Sequence, residues 1–217
     1  MNLPQVKHIA APPFCTREAL RYAGGSDDGA VQLLETCYRE AEQKLSYQVC
    51  FLELPLRIDD SKCDFGAFAV TSAALAKNLA GCERVLLFGA TIGMELDRLI
   101  AKYGRIAPSK ALMMQAIGAE RIEALCNAFC AQYAAEHNVG FKPRFSPGYG
   151  DLPLEAQRDI FRVLRCGTKI GLYINDSLLM SPSKSVTAIA GITEQKQEKY
   201  NKCSLCGKKD CAFRSIT

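Results

Sequence analysis

Residues 144–150, with the sequence RFSPGYG, combine residue types that suit the binding of a carboxylate or a phosphate. Two glycines and a proline cannot continue a helix or a central strand, so the backbone is predicted to turn, with its N–H and C=O groups largely free. Arg144 offers a planar fork of donors, Tyr149 a flat face with a hydroxyl, and Gly148 close access to the main chain. This segment, the Arg144 turn, is predicted to bind a ligand; the alternative is an ordinary surface loop.

A second candidate site lies near the C-terminus, where Cys203, Cys206 and Cys211 occur in the sequence CSLCGKKDC. Thiolates at this spacing favour zinc or an iron–sulfur cluster. Such sites usually have four ligands, and neither His8 nor His137 is nearby in sequence. The fourth ligand would therefore come from elsewhere in the fold, from water or from a partner. The alternative is a tail with three reduced or partly paired cysteines.

The composition of the 217-residue chain, 48% hydrophobic and 23% charged, predicts one large or two small domains with a core of their own. A net charge of +4, with no basic stripe along one face, argues against a nucleic-acid partner. No apolar run is long enough to span a membrane, and the N-terminus lacks the order of residues found in a secretory signal. A cytoplasmic protein is therefore expected.

The chain has eleven cysteines, an odd number that does not suit a complete set of disulfide pairs. Most of those before the tail lie within apolar patterns. A reduced cysteine in such a pattern behaves as a small buried hydrophobic residue. We therefore predict buried thiols rather than a disulfide framework for Cys37, Cys82, Cys126, Cys130 and Cys166.

Periodicity and capping residues predict the elements that must position the Arg144 turn. Residues 1–14 are interpreted as a poorly ordered or edge-packed arm. Three helices are predicted in the first part of the chain: 17–23 with Thr16 as its cap, 26–28 to about 45, and 73–79 after the caps Thr71 and Ser72. Three more are predicted further on: one that begins at about 94, one at about 110–136, and one from just after Asp151 to Gly167. The last has Pro153 in its first turn. Strands are predicted at 47–58, 65–70, 84–89, 171–174 and 185–192. Residues 89–93 are expected to form a tight turn that packs a helix on the sheet, rather than a phosphate site. The pattern indicates an α+β fold with a largely antiparallel sheet.

The Arg144 turn and the residues after it, with the pattern R-x-S-P-G-Y-G-D-x-P-L, resemble the S-adenosylmethionine-binding signature of the activation domain of vitamin B12-dependent methionine synthase, especially its free-standing, single-domain relatives. Residues 180–186, with the pattern M-x-P-x-x-S-V, are similar to the segment that follows the signature in that family. The family usually has proline where this chain has Phe145. The resemblance extends from about Arg17 to Ile192, with specific motifs only at 144–155 and 180–189.

The resemblance implies a twisted, largely antiparallel α+β domain at residues 1–192. From Thr193 the composition becomes polar and basic, which predicts a separate, cysteine-containing tail at 193–217. In the site that it implies, Arg144 takes the methionine carboxylate of S-adenosylmethionine, and the main chain from Ser146 to Gly148 holds other groups of the ligand. Tyr149 packs against the ligand. On the predicted helix 110–136, Glu120 and Glu123 lie at the margins of the apolar face, and Glu123 is expected to favour the positive charge of the ligand.

No catalytic residue is expected, because reduced cobalamin itself attacks the methyl group and the protein supplies orientation. The implied partners are a cobalamin-binding methionine synthase that lacks its own activation domain and a low-potential electron donor protein. The chain would then be a component of a methyltransferase activity rather than an independent catalyst. Two alternatives stay open: a self-contained S-adenosylmethionine-dependent methyltransferase, and a metal-binding regulatory module.

Overall fold

A computed structural model describes residues 3–25 and 27–194, which alternate between helices and short strands. In chain order the elements are β1 (Gln5–His8), α1 (Thr16–Ala23), α2 (Asp28–Ala41) with a 3-10 turn at Glu42–Lys44, β2 (Gln48–Pro55), β3 (Arg57–Asp59), β4 (Lys62–Asp64), β5 (Ala69–Thr71), α3 (Ala73–Leu79), β6 (Arg84–Thr91), α4 (Glu95–Ile106), α5 (Pro108–His137), β7 (Gly140–Phe141), α6 (Ala156–Leu164), α7 (Cys166–Ile170), β8 (Tyr173–Ile174), β9 (Met180–Ser181) and β10 (Ser185–Thr193).

The centre of the fold is a five-stranded sheet with the order β1-β2-β6-β10-β7, in which all neighbours are antiparallel. The middle strand β6 shows why both faces are covered. Leu86 and Phe88 point into an apolar layer formed with α1, α2, α4 and α5, whereas Val85 and Leu87 point into a second layer formed with α3, α6 and α7. The predicted α+β fold with a largely antiparallel sheet is confirmed.

The long helix α5 runs from Pro108 at its first position to the left-handed Asn138 that ends it, as the sequence predicted for about 110–136. Arg121 on this helix is fully buried. Its guanidinium donates to the Glu120 carboxylate and, at 2.6 and 2.7 Å, to the carbonyl oxygens of Pro12 and Pro13. The prediction that Glu120 lies at the helix margin is wrong, because this buried pair places its side chain in the interior, at 5% exposure.

The N-terminal segment is an ordered edge of the sheet, since β1 pairs with β2 and the buried Arg121 holds the residues that follow. Helix α1 already begins at Thr16, so the predicted capping role of Thr16 is wrong; Cys15 occupies the cap position without a side-chain hydrogen bond. The predicted cap Ser72 is confirmed, because its hydroxyl accepts from the N–H of Leu75, whereas Thr71 lies in β5. At the start of α2 the cap is Asp27, which accepts from the N–H of Ala30.

Several predicted strand boundaries are wrong for local reasons. The predicted strand at 65–70 is mostly a turn around the left-handed Gly66, in which the rings of Phe65 and Phe68 pack 4.9 Å apart. Strand β4 before this turn was not predicted, and β5 after it begins later than the predicted strand. The predicted strand at 47–58 divides after Pro55 into β2 and β3.

Other boundaries differ on the far side of the sheet. Strand β6 continues to Thr91, so Gly89 lies in the strand rather than in a turn. The helix predicted to run to Gly167 ends at Leu164, because Arg165 is left-handed (φ 52°) and separates α6 from α7. Pro153 precedes α6, which begins only at Ala156.

The predicted burial of Cys37, Cys82, Cys126 and Cys166 as free thiols is confirmed, whereas Cys130 is only half-buried. Among residues 3–25 and 27–194, no helix has the length and apolar character needed to cross a membrane.

Candidate functional site

The Arg144 turn starts beside the central sheet, because Phe145 pairs with Ile189 of β10 in an antiparallel bridge. The N–H of Phe145 donates to the carbonyl of Ile189 at 2.9 Å, and the N–H of Ile189 donates back at 2.8 Å. Proline at position 145 could not make the first of these bonds, since it has no N–H. The bridge joins the two sequence stretches, 144–155 and 180–189, that carry the recognised patterns.

Within the turn, several backbone groups are bonded to one another. The N–H of Gly148 donates to the carbonyl of Leu152 at 2.9 Å, and the N–H of Tyr149 donates to the carbonyl of Ser146 at 3.1 Å. The prediction that the backbone groups here are largely free is therefore wrong for these residues. Gly148 and Gly150 have φ of +87° and +55°, which glycine adopts without strain.

Asp151 fastens the end of the turn to helix α3. Its carboxylate accepts hydrogen bonds from the backbone N–H groups of Ala73 at 2.7 Å and Ala74 at 3.1 Å, and from the hydroxyl of Ser72. These donors, Ser72 first, hold the pKa of Asp151 below its usual value. Asp151 therefore caps α3 and not the helix that follows it in sequence.

Arg144 and Glu123, predicted to bind opposite ends of one ligand, are in contact. An Arg144 guanidinium nitrogen lies 2.7 Å from Oε2 of Glu123, and a second one donates to Oδ1 of Asn127 at 2.8 Å. The Arg144 side chain is 13% exposed and that of Glu123 is 42% exposed. The guanidinium thus lies along α5, and the Glu123 carboxylate faces solvent on the same side.

The surroundings of Arg144 keep it charged. Burial by itself lowers the pKa of Arg144, but the interactions with Cys126, Glu123 and Cys130 outweigh burial and raise the pKa above its usual value. Cys126, Asn127 and Cys130 follow Glu123 on the same side of α5 at helical spacing. Asn127 was not predicted as a site residue, although it lies four residues after Glu123 and therefore on the same side of the helix.

Ser146 and Tyr149 differ in exposure. Ser146 is half-buried and uses its carbonyl within the turn. Tyr149 is 67% exposed, with its ring centre 6.4 Å from that of Phe145. The turn thus carries an accessible aromatic face, and the packing of Tyr149 against a ligand stays a prediction.

The second stretch is held by helix α4 and strand β6. Asp97 in the first turn of α4 accepts from the N–H of Ser183 at 2.8 Å and from its hydroxyl at 2.5 Å. The hydroxyl of Ser185 donates to that of Thr91 at 2.9 Å. Sequence reasoning found neither Asp97 nor Thr91, because both contacts cross more than eighty residues of chain.

Lys184, which lies between Ser183 and Ser185 in sequence, is half-buried against α5. Burial lowers its pKa, against the opposing effect of Asp97. Its stem crosses α5 at Gly118, where an added Cβ would lie 2.7 Å both from Cγ of Lys184 and from Cδ2 of Leu96. Gly118 is therefore required for the close approach of this segment to α5.

The described part of the chain, residues 3–25 and 27–194, contains no group of three or more histidine, cysteine, aspartate or glutamate side chains placed to hold a metal ion. The predicted metal ligands Cys203, Cys206 and Cys211 lie outside the described residues, as does almost all of the predicted tail at 193–217. The metal site at the tail stays a prediction from sequence.

Comparison with known proteins gives a result at the level of structure. No protein-family model matches the sequence, and neither does any curated protein. The structure is similar to the crystal structure of the MetH reactivation domain bound to AdoHcy, with a TM-score of 0.65 and 13% sequence identity over 91% of this chain and 80% of that one. The chain therefore has the α+β fold of the MetH reactivation domain.

Proposed function

We propose that this protein binds S-adenosylmethionine at the Arg144 turn and supports the reductive methylation of a cobalamin carried by another protein. The observation that carries the proposal is the fold shared with a MetH reactivation domain bound to AdoHcy. AdoHcy is what S-adenosylmethionine becomes when it gives up its methyl group. The sequence pattern at residues 144–154 supports the same ligand independently of the fold.

The ion pair between Arg144 and Glu123 suits a ligand that carries both signs of charge. S-adenosylmethionine has a carboxylate, an ammonium group and a sulfonium group. Its carboxylate would compete with Glu123 for the Arg144 fork, which prefers planar oxyanions. Because Glu123 is 42% exposed, its carboxylate can turn toward the cationic groups of the ligand. The pair would then exchange an internal contact for two contacts with the ligand.

The other residues of the Arg144 turn would form the surface against which the ligand lies. The left-handed Gly148 leaves no side chain between a ligand and the main chain of residues 146–148. Tyr149, exposed beside Phe145, provides a face against which the ligand can pack. Asp151 and the Phe145–Ile189 bridge fix the two ends of the turn, which keeps these groups in one arrangement.

In the proposed reaction this chain binds and orients S-adenosylmethionine, and none of its side chains acts as the nucleophile. The partner's corrinoid supplies the nucleophile for the sulfonium methyl group once a low-potential electron donor has reduced it. The chain's own residues hold S-adenosylmethionine with its methyl group toward the partner, and this orientation is the catalytic contribution. A component with this role needs no general base.

The experiment mixes the full chain with S-adenosylmethionine, a cobalamin-loaded methionine synthase that lacks an activation domain, and a low-potential electron donor. We expect methylcobalamin to form, measured by its absorbance spectrum, and no turnover by the isolated chain. Tyr149→Ala should slow the reaction, while Tyr173→Ala, at a residue 60% exposed on β8, serves as the matched control. Steady release of AdoHcy with an oxygen, nitrogen or carbon acceptor and no corrinoid would instead make the protein a self-contained methyltransferase.

A further inference from the structure

Two cysteines far apart in sequence meet beneath the side of the sheet that α6 and α7 cover. The sulfur atoms of Cys50 in β2 and Cys166 in α7 lie 3.7 Å apart, and both residues are completely buried. Both are thiols in this structure. At this distance one thiol hydrogen-bonds to the other, and a small movement brings the sulfurs within bonding distance.

A glycine in the neighbouring strand makes room for the pair. A Cβ added at Gly89 of β6 would lie 3.2 Å from the sulfur of Cys166 and 3.5 Å from that of Cys50. The space beside the two sulfurs thus exists because β6 carries no side chain at this position. Apolar residues such as Leu164 surround the pair.

The two sulfurs have different electronic surroundings. The hydrogen bond from the Cys166 thiol is the main cause that lowers the pKa of Cys50, against burial, and the backbone of Gly89 and the charge of Lys169 act in the same direction. The same hydrogen bond, together with burial, raises the pKa of Cys166. The hydrogen bond between the two thiols therefore favours one thiolate within the pair, and the thiolate is the reactive form of cysteine.

We propose that Cys50 and Cys166 form a redox-active dithiol that a hydroperoxide oxidises to a disulfide. One sulfur of the pair, as the thiolate, attacks the terminal oxygen of the hydroperoxide, the O–O bond breaks, and that cysteine becomes a sulfenic acid while the leaving oxygen takes up a proton as water or alcohol. The sulfur of the other cysteine then attacks the sulfenic acid sulfur and loses its proton, and hydroxide leaves as water. Two electrons pass from the thiols to one hydroperoxide, which is the only co-reactant.

Access to the buried pair comes through α7. This helix has only five residues, and left-handed residues flank it on both sides, Arg165 with φ 52° and Gly171 with φ 64°. A short peripheral element of this kind opens locally at much lower cost than the whole domain unfolds. Once formed, the disulfide would tie α7 to the centre of the sheet and close a loop of more than a hundred residues.

The test treats the reduced full chain with hydrogen peroxide, blocks the remaining thiols by alkylation and maps the peptides without reduction. We expect a cross-linked peptide that contains Cys50 and Cys166, and an unfolding temperature raised by about 5 °C or more. Dithiothreitol should reverse both changes. This inference does not depend on the proposed function, so the map decides it whether or not the chain binds S-adenosylmethionine.

Two variants sharpen the result. Cys166→Ser should lose the rise in unfolding temperature, whereas Cys82→Ser, at another buried cysteine of the same apolar layer, should keep both the rise and the cross-link. If the exposed Cys15 of the unsubstituted chain is oxidised while no Cys50–Cys166 peptide forms, the proposal is wrong, whether or not either variant folds. An equal rise in Cys166→Ser would also overturn it.

Discussion

Oδ2 of Asp151 accepts a hydrogen bond of 2.7 Å from the backbone N–H of Ala73, the first residue of α3. Asp151 directly follows the Arg144 turn, so a single carboxylate caps a helix and also anchors the candidate binding segment. The other end of the turn is anchored by the Phe145–Ile189 bridge. The geometry of the turn thus depends on contacts with two elements distant in sequence.

The Asp151 contact predicts a pH-dependent stability difference. Because Ser72 and the N–H groups of Ala73 and Ala74 lower the pKa of Asp151 in the folded state, its contribution is full above the unfolded pKa of about 3.9 and is lost as pH falls through the lower folded pKa. Asp151→Ala should unfold a few degrees below the unsubstituted chain near neutral pH, and thermal scans should show the gap narrowing in acid. Asp176→Ala, an exposed aspartate, should show little difference. A gap that stays the same down to about pH 2.5 would contradict this account.

Arg144→Ala should weaken the binding of S-adenosylmethionine by about 1.5–3 kcal/mol, the range for a hydrogen bond to a charged group. Isothermal titration calorimetry measures this directly. Arg162→Ala removes the same charge from an arginine that is 63% exposed and pairs with Asp159, so it is the matched control. Equal affinities for Arg144→Ala and the unsubstituted chain would remove the turn from the site.

Gly118→Ala should destabilise the domain by about 1–3 kcal/mol, because the new Cβ would meet Leu96 and Lys184 in a packed region. Gly104→Ala is its control: Gly104 is an exposed helix position with no atom within 4 Å of the new Cβ, and alanine there should stabilise α4 by about 0.5–1 kcal/mol. Urea unfolding of both variants gives the comparison. A loss of stability in both would mean that contact at position 118 is not the cause.

A chain that ends at Thr193 should stay folded and still bind S-adenosylmethionine. Strand β10 ends at this residue, which pairs with Gly140 of β7, so the sheet keeps all its described pairings. Thermal unfolding and calorimetry of the shortened chain test the two halves of the prediction. Loss of a cooperative transition would indicate that Cys203, Cys206 and Cys211 help to hold the core.

Local signals in the sequence predicted the parts of the fold that depend on local chemistry. Helix α5, the cap Ser72 and the buried strand β6 follow from periodicity and capping within a few residues of chain. The strand predicted at 65–70 failed because Phe65 and Phe68 pack inward from a turn, which gives an apolar run without strand geometry.

For the candidate site, too, the sequence predicted the local features but not the contacts between distant segments. The residue types of the Arg144 turn indicated a turn and a carboxylate fork, but the inclusion of Glu123 in the same site rested on resemblance to a family, and its ion pair with Arg144 was not predicted. The contacts of Asp151 with Ala73 and of Asp97 with Ser183 cross 78 and 86 residues of chain. Spacing along the sequence carries no signal for such contacts, because they exist only once the sheet has brought the elements together.

The buried guanidinium of Arg121 sets the boundary of any fragment or chimera made from this domain. Resemblance to the family begins at about Arg17, yet Arg121 needs the carbonyl oxygens of Pro12 and Pro13. Joining a foreign leader at position 17 would remove these two acceptors from the buried guanidinium, and a buried donor left without a partner costs about 1–3 kcal/mol. A transplanted domain should therefore carry the residues from Pro12 onward, although they match no motif.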